Sequence, residues 1–154
     1  MRIGIATMPM ALLERVLVLK QGIDLRTSMY CQAIAAEFLG SNDEAIHLKR
    51  IEDAYSGKLK TMTHALEKHL TDGFRWTEPE GGMFLWVEGP PGFDADAVLG
   101  RAMERGVAFI PGSVFFADSG AVNCNSMRLC FAHVHSDEIE GGIELLAAVC
   151  ERSR

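Results

Sequence analysis

Three segments in the second half of the chain decide the fold: EGGMFLWV at residues 80–87, GVAFIPG at residues 106–112 and MRLCFA at residues 127–132. Each joins a short apolar run, of the length of a β-strand, to glycine, proline or a polar residue that marks a turn. The period of the apolar residues changes from about 3.6 before Asp72-Gly73 to about two after it. This pattern predicts an α+β fold in which a small antiparallel sheet is covered by helices.

The first forty residues predict a short strand followed by two helices. Residues 1–8 alternate in character and predict the strand, and Pro9 stands where a helix can begin. Gly22 is predicted to end this first helix. Ser28 is the predicted cap of a second helix, which Gly40 ends.

A long helix is predicted to follow. Ser41 and Glu44 form a capping-box pattern, and the apolar positions after them step by three or four as far as Leu70. About 27 residues of helix would span about 40 Å. Beyond it, we expect strands at 74–76, 83–87, 107–110 and 127–132, and helices capped by Asp94 and Ser136.

Size and composition indicate a soluble globular chain. The net charge of −6 argues against a nucleic-acid partner, and the longest apolar run, 142–150, is too short for a membrane span. No secretory pattern is present and the four cysteines have irregular spacing. These features favour a cytoplasmic protein with reduced thiols.

Taken together, the three segments resemble the C-terminal small domain of fold-type-I pyridoxal-phosphate aminotransferases. The resemblance covers almost the whole chain, and points in particular to the 2-aminoadipate/kynurenine aminotransferases and to the aminotransferase-like domain of MocR-type regulators. It implies a full-length homodimeric enzyme that uses pyridoxal 5'-phosphate (PLP) to move an amino group from an amino acid to a 2-oxo acid. It also implies that the family's Schiff-base lysine lies just upstream of Met1. On the same basis, we expect residues 1–40 to form a strand and helical arm of the large-domain or linker region, and residues 41–154 to form the C-terminal small domain.

Arg128 is the main candidate for substrate binding. It lies in the middle of a predicted strand, and strand alternation leaves open whether it faces the core or solvent. The resemblance implies that it grips the α-carboxylate of the substrate, because an arginine in the family's R-L-x-F/Y-A motif does so. A guanidinium suits this role, since its planar fork donates two parallel hydrogen bonds to a carboxylate.

Arg2 is the candidate for cofactor binding. Arg2-Ile3-Gly4 matches the end of the family's P-G-x-R-x-G motif, and the resemblance implies that this arginine binds the cofactor phosphate. A residue so close to a terminus could equally be exposed and disordered.

No lysine of the chain is a candidate for the catalytic nucleophile. All five fall on predicted amphipathic helices, and none follows the S-x-S context of the family: Lys20, Lys49, Lys58, Lys60 and Lys68. We therefore expect no catalytic residue in the chain itself, which should bind no cofactor and not transaminate alone.

Three further segments have both a structural and a functional interpretation. Thr27 and Ser28 match a family segment that approaches the neighbouring subunit's active site, although a helix cap would need the same residue types. The glycines of residues 80–84 permit a turn, and the strand after them lies beside the substrate pocket in the family. Residues 110–116 resemble the family's mobile segment near the substrate, or are a turn followed by an apolar plug.

A metal site is not expected. His133 and His135 share a face of an extended segment, but only the helix-capping Asp137 follows, and zinc sites need a third ligand at matched spacing. His64 and His69 are five residues apart on a helix and cannot share a face closely.

Three alternatives remain open at the level of the sequence. The same domain could be the effector part of a MocR/GntR-type transcription regulator. It could be a stand-alone binding or oligomerisation module without catalysis. It could also belong to an enzyme catalysing another fold-type-I reaction, such as a lyase or a decarboxylase.

Overall fold

The computed structural model describes residues 3–41, 43–117 and 124–151, and the chain divides into two compact units, residues 1–50 and 51–154. Within the described residues, no helix is both long and apolar enough to cross a membrane.

The first unit contains helices α1 (Met10–Ile23) and α2 (Met29–Gly40), and neither helix has a buried residue. The predicted strand is wrong for the part that is described, because residues 3–9 form neither strand nor helix. Alternation alone does not make a strand, since the backbone groups also need a partner strand. Gly22 does not end α1, which continues to Ile23, and Ser28 precedes α2 without a side-chain capping hydrogen bond.

Helix α3 (Asp43–His69) has the predicted length of 27 residues. At its start, the Ser41 hydroxyl accepts a hydrogen bond from the Asp43 backbone N–H at 3.3 Å, so Ser41 caps the helix, although a capping box would use the N–H of Glu44. Near its end, Met62, Ala65 and Leu66 are buried in the core of the second unit.

The second unit is built on a four-stranded antiparallel sheet in the order β1-β2-β4-β3. The strands are β1 (Arg75–Trp76), β2 (Phe84–Glu88), β3 (Ile110–Pro111) and β4 (Ser126–Cys130). Three of them lie within two residues of their predicted positions. The strand predicted at 107–110 is wrong in extent, because the Val107 N–H bonds back to the Ala102 carbonyl and completes a helix end instead of a ladder.

One face of the sheet packs into the apolar core. Leu85 and Val87 of β2 and Met127 and Leu129 of β4 are buried there, and α3, α4 (Ala95–Glu104) and α5 (Ser136–Glu151) supply most of the remaining core residues. Full burial of one such side chain is worth about 1.5–3 kcal/mol. The prediction of helices and a small antiparallel sheet is thus confirmed.

Asp94 and Ser136 were the predicted caps at the N-terminal ends of α4 and α5. The Asp94 carboxylate accepts from the Ala97 N–H at 3.1 Å, as predicted. Ser136 is instead the first residue of α5, and the Glu138 carboxylate accepts from the N–H of the preceding His135 at 3.2 Å.

Candidate active site

The sheet face opposite the core carries Arg128. Because side chains alternate along a strand, burial of Met127 and Leu129 turns Arg128 to the other face. There it lies between Trp86 on β2 and Ile110 on β3, its direct cross-strand partners. The sequence left the direction of this side chain open, and the strand register decides it.

Aromatic rings surround the Arg128 guanidinium. Its central carbon lies 4.0 Å from the centroid of the Phe84 ring and 5.1 Å from that of Phe115. The Phe115 ring also meets Trp86 edge-to-face, with centroids 5.6 Å apart. Arg128 is consequently half-buried although its side of the sheet faces away from the core.

The Arg128 Nε is buried and has no hydrogen-bond partner, and in the described part of the chain it is the one buried side-chain nitrogen or oxygen in that condition. An unsatisfied buried donor costs about 1–3 kcal/mol, and more when it is charged. A carboxylate in the plane of the guanidinium would accept from Nε and from a neighbouring Nη. The residues at this site therefore fit an anionic planar ligand.

The sequence did not predict that Phe84, Trp86 and Phe115 contact Arg128. Phe84 and Trp86 are two positions apart in β2, and strand alternation could have placed both on one face. Their proximity to Arg128 depends on the β2–β4 register. Phe115 comes from a 3-10 turn (Gly112–Phe115) after β3, and nothing in the local sequence indicates its contact.

The two turns flanking the site have distinct roles. Gly82 has a φ of 87°, which L-residues rarely adopt, so the predicted need for glycine before β2 is confirmed at this position. Pro111 and Gly112 lead into the 3-10 turn, whose Ser113 hydroxyl donates to the Asp96 carboxylate of α4 at 2.8 Å. The structure brings both segments to Arg128.

The other predicted site residues lie elsewhere. Arg2 lies outside the described residues. In the first unit, the Lys20 ammonium contacts the Asp24 carboxylate at 2.6 Å and donates to the Thr27 hydroxyl at 3.2 Å. Leu25, between them, has a φ of 54°. Thr27 therefore helps to hold the bend between α1 and α2.

The contacts of the lysines in the second unit indicate structural roles. The Lys58 ammonium donates to the Ala132 carbonyl at 2.9 Å, and that of Lys68 contacts the Glu140 carboxylate at 2.6 Å. Both lie on α3, with Lys60, and α3 packs on the core face of the sheet, opposite Arg128.

Histidines do not assemble a metal site in the described residues, where no group of three or more His, Cys, Asp or Glu side chains has the arrangement to hold an ion. His69 instead lies 3.5 Å from the Glu140 carboxylate. The hydrogen bond from Lys68, followed by that from His69, lowers the pKa of Glu140. The same Lys68–Glu140 hydrogen bond raises the pKa of Lys68.

The chain belongs to the aminotransferase class I and II family, whose sequence model matches residues 1–146. It is 36% identical to the aromatic-amino-acid aminotransferase 1 of Thermococcus litoralis over 95% of this chain and 34% of that protein. It is also 36% identical to the 2-aminoadipate transaminase of Thermus thermophilus, over 95% of this chain and 36% of that protein.

Solved structures show the same similarity. The α-aminoadipate aminotransferase LysN of Thermus thermophilus, complexed with N-(5'-phosphopyridoxyl)-L-leucine, superposes with a TM-score of 0.80 at 34% identity, over 93% of this chain and 36% of that one. The chain thus spans about a third of the length of the relatives it matches. The matching family model and the relatives named above are all those of aminotransferases, which supports transamination as the activity of this family.

Proposed function

We propose that this chain supplies the substrate-carboxylate side of a PLP-dependent aminotransferase, which moves an amino group from an amino acid to a 2-oxo acid. The observation that carries the proposal is the buried Arg128 Nε without a partner, on the sheet face of a class I and II aminotransferase chain. A substrate α-carboxylate supplies the missing acceptor.

In this proposal Arg128 binds and orients the substrate. Two parallel charge-assisted hydrogen bonds fix the carboxylate plane, and with it the direction of the bonds at Cα. Lysine would provide the charge without the fixed plane. Arg128 thus contributes to both affinity and orientation.

The residues of this chain fit the substrate better than they fit the cofactor. PLP, when bound, supplies an electron sink for the Cα carbanion. Arg2 is the one residue of the chain that we propose for it, as a ligand of its phosphate. Since Lys58, Lys60 and Lys68 lie on the core side of the sheet, we propose that the 154-residue chain alone does not transaminate.

The proposed setting is a cytoplasmic homodimer without a nucleic-acid or membrane partner for this domain. The four cysteines, all of them in described positions, form no disulfide, which suits a reducing compartment. We further propose that residues 41–154 are the small domain and that residues 1–40 belong to the large-domain or linker region.

The test uses the longest form of the protein that its gene encodes, loaded with PLP, and measures amino transfer from several amino acids to 2-oxoglutarate. Arg128→Lys should lower kcat/KM by on the order of 10²–10³, since two charge-assisted hydrogen bonds are worth about 1.5–3 kcal/mol each and the residual charge retains part of this. The 154-residue chain in the same assay should give no turnover.

Arg75→Lys is the matched control, because Arg75 is an exposed arginine on β1 of the same sheet. It should leave kcat/KM unchanged. Absence of amino transfer by the wild-type protein, or equal rates for Arg128→Lys and wild type, would contradict the proposal.

A further inference from the structure

The Arg128 guanidinium is held by two rings from separate elements. Phe84 belongs to β2 and Phe115 to the 3-10 turn, and both centroids lie within the roughly 6 Å at which a cation and an aromatic face attract. Neither ring accepts a hydrogen bond in the plane of the guanidinium. The rings can therefore restrict the side chain and leave its N–H donors available.

The same rings remove water from the guanidinium. Nε is buried without a partner although Arg128 lies on the face opposite the core. A carboxylate that arrives there meets an Nε–H donor that is already desolvated and oriented, which strengthens that hydrogen bond and reduces the ordering cost of binding.

The position of Phe115 depends on the close packing of the backbone at Gly112, three residues earlier in the chain. A Cβ at Gly112 would overlap the Ser126 hydroxyl and lie 2.6 Å from the Cys124 sulfur. Both neighbours are buried, Ser126 at the start of β4 and Cys124 two residues before it, and their side chains are 3.1 Å apart. The absence of a side chain at Gly112 thus lets the 3-10 turn lie against the strand that carries Arg128.

We propose that Phe84 and Phe115 are positioning residues that hold the Arg128 guanidinium in its carboxylate-binding orientation, and that Gly112 sets the position of Phe115. This inference rests on the proposed role of Arg128. Aromatic contacts can orient an arginine because its planar guanidinium stacks on aromatic faces as well as pairing with carboxylates.

The kinetic test compares Phe84→Leu and Phe115→Leu with wild type in the PLP-loaded protein, for an amino acid and for its α-amide. Each variant should lower kcat/KM for the free amino acid by about three- to thirtyfold, mainly through KM, in line with loss of a partly desolvated cation–π contact. The α-amide, which lacks the carboxylate, should be affected much less. Phe115→Tyr, which keeps the ring, should restore most of the loss.

The control is Phe38→Leu, the same change at a phenylalanine of α2 in the other unit, which should match wild type for both substrates. Gly112→Ala should reproduce the Phe115→Leu pattern. If Gly112→Ala does not fold, the two phenylalanine variants still decide the question. If the phenylalanine variants lower kcat/KM equally for the amino acid and its amide, or for neither, the positioning proposal is overturned. The proposed function would still stand in that case, provided that the wild-type protein carries out amino transfer.

A second measurement does not depend on activity. In the 154-residue chain, the Arg128 Nε–H resonance should exchange with water several-fold faster in Phe115→Leu than in wild type or Phe38→Leu. An unchanged exchange rate would overturn the positioning role even if the wild-type protein proved not to be an aminotransferase.

Discussion

At the scale of the residue, environment separates arginines that look alike in the sequence. Arg75 and Arg128 both belong to strands of one sheet, yet Arg75 is exposed and Arg128 is half-buried under aromatic rings. The difference arises from position: β1 is an edge strand, whereas β4 lies between β2 and β3. The environment of Arg128 therefore depends on its position in a central strand.

The contribution of a single core residue to stability can be tested at Leu66. It is fully buried on α3, so Leu66→Ala should lower the free energy of unfolding by about 2–5 kcal/mol through lost burial and a residual cavity. Leu145→Ala, at a 40% exposed position on α5, is the control and should cost less than about 1 kcal/mol. Urea unfolding followed by circular dichroism measures both, and equal losses would contradict the assigned core.

At the scale of the element, α3 and α5 are joined by a polar contact beside the apolar core. Lys68 and His69 at the end of α3 both approach Glu140 of α5. The contact is exposed and therefore weak, but it has a defined dependence on pH. Because the pKa of Glu140 is lowered in the folded chain, its stabilising effect is present above the ordinary carboxyl pKa. That effect is lost as the pH falls through the folded pKa.

The contribution of Lys68 to stability depends on pH with the opposite sign. Its pKa is raised, so its contribution is present below the ordinary lysine pKa and is lost as the pH rises through the folded value. The contact should therefore stabilise the chain between these two limits. Thermal unfolding of Glu140→Gln should show a lower Tm than wild type near neutral pH, with a difference that shrinks towards pH 3.

Glu104→Gln, at an exposed carboxylate at the end of α4, is the control and should show no comparable pH-dependent difference. A Glu140→Gln difference that stays constant from neutral to acid pH would exclude the ion pair as its cause.

At the scale of the whole molecule, the two units differ in how their apolar residues are used. The second unit buries many of its large apolar side chains in one core, while α1 and α2 bury none. On α1, Met10, Val18 and Leu19 are 72%, 68% and 65% exposed. Exposed apolar surface of this kind favours association.

We therefore expect the 154-residue chain to form dimers or larger assemblies. Sedimentation velocity at micromolar concentrations measures this directly, and Leu19→Glu should shift the distribution towards monomer because it places a charge on the exposed apolar helix. A wild-type chain that sediments as a single monomeric species would contradict the expectation.

Local sequence was sufficient for most elements. The 27-residue length of α3, the Asp94 cap of α4 and the positions of β2 and β4 were all predictable, because apolar period, capping side chains and turn residues act over a few neighbouring positions. The predicted strand at residues 1–8 failed where it is described, since strand formation also needs a partner that no local pattern reveals.

The sequence by itself determined the helices, the sheet, the family and the choice of Arg128 as the candidate residue. Only the tertiary structure decided which face Arg128 occupies, that Phe84 and Phe115 lie against it, and that Gly112 must lack a side chain. The physical reason is distance along the chain: these contacts join separate elements, and only strand register and the close approach of the 3-10 turn to β4 bring them together.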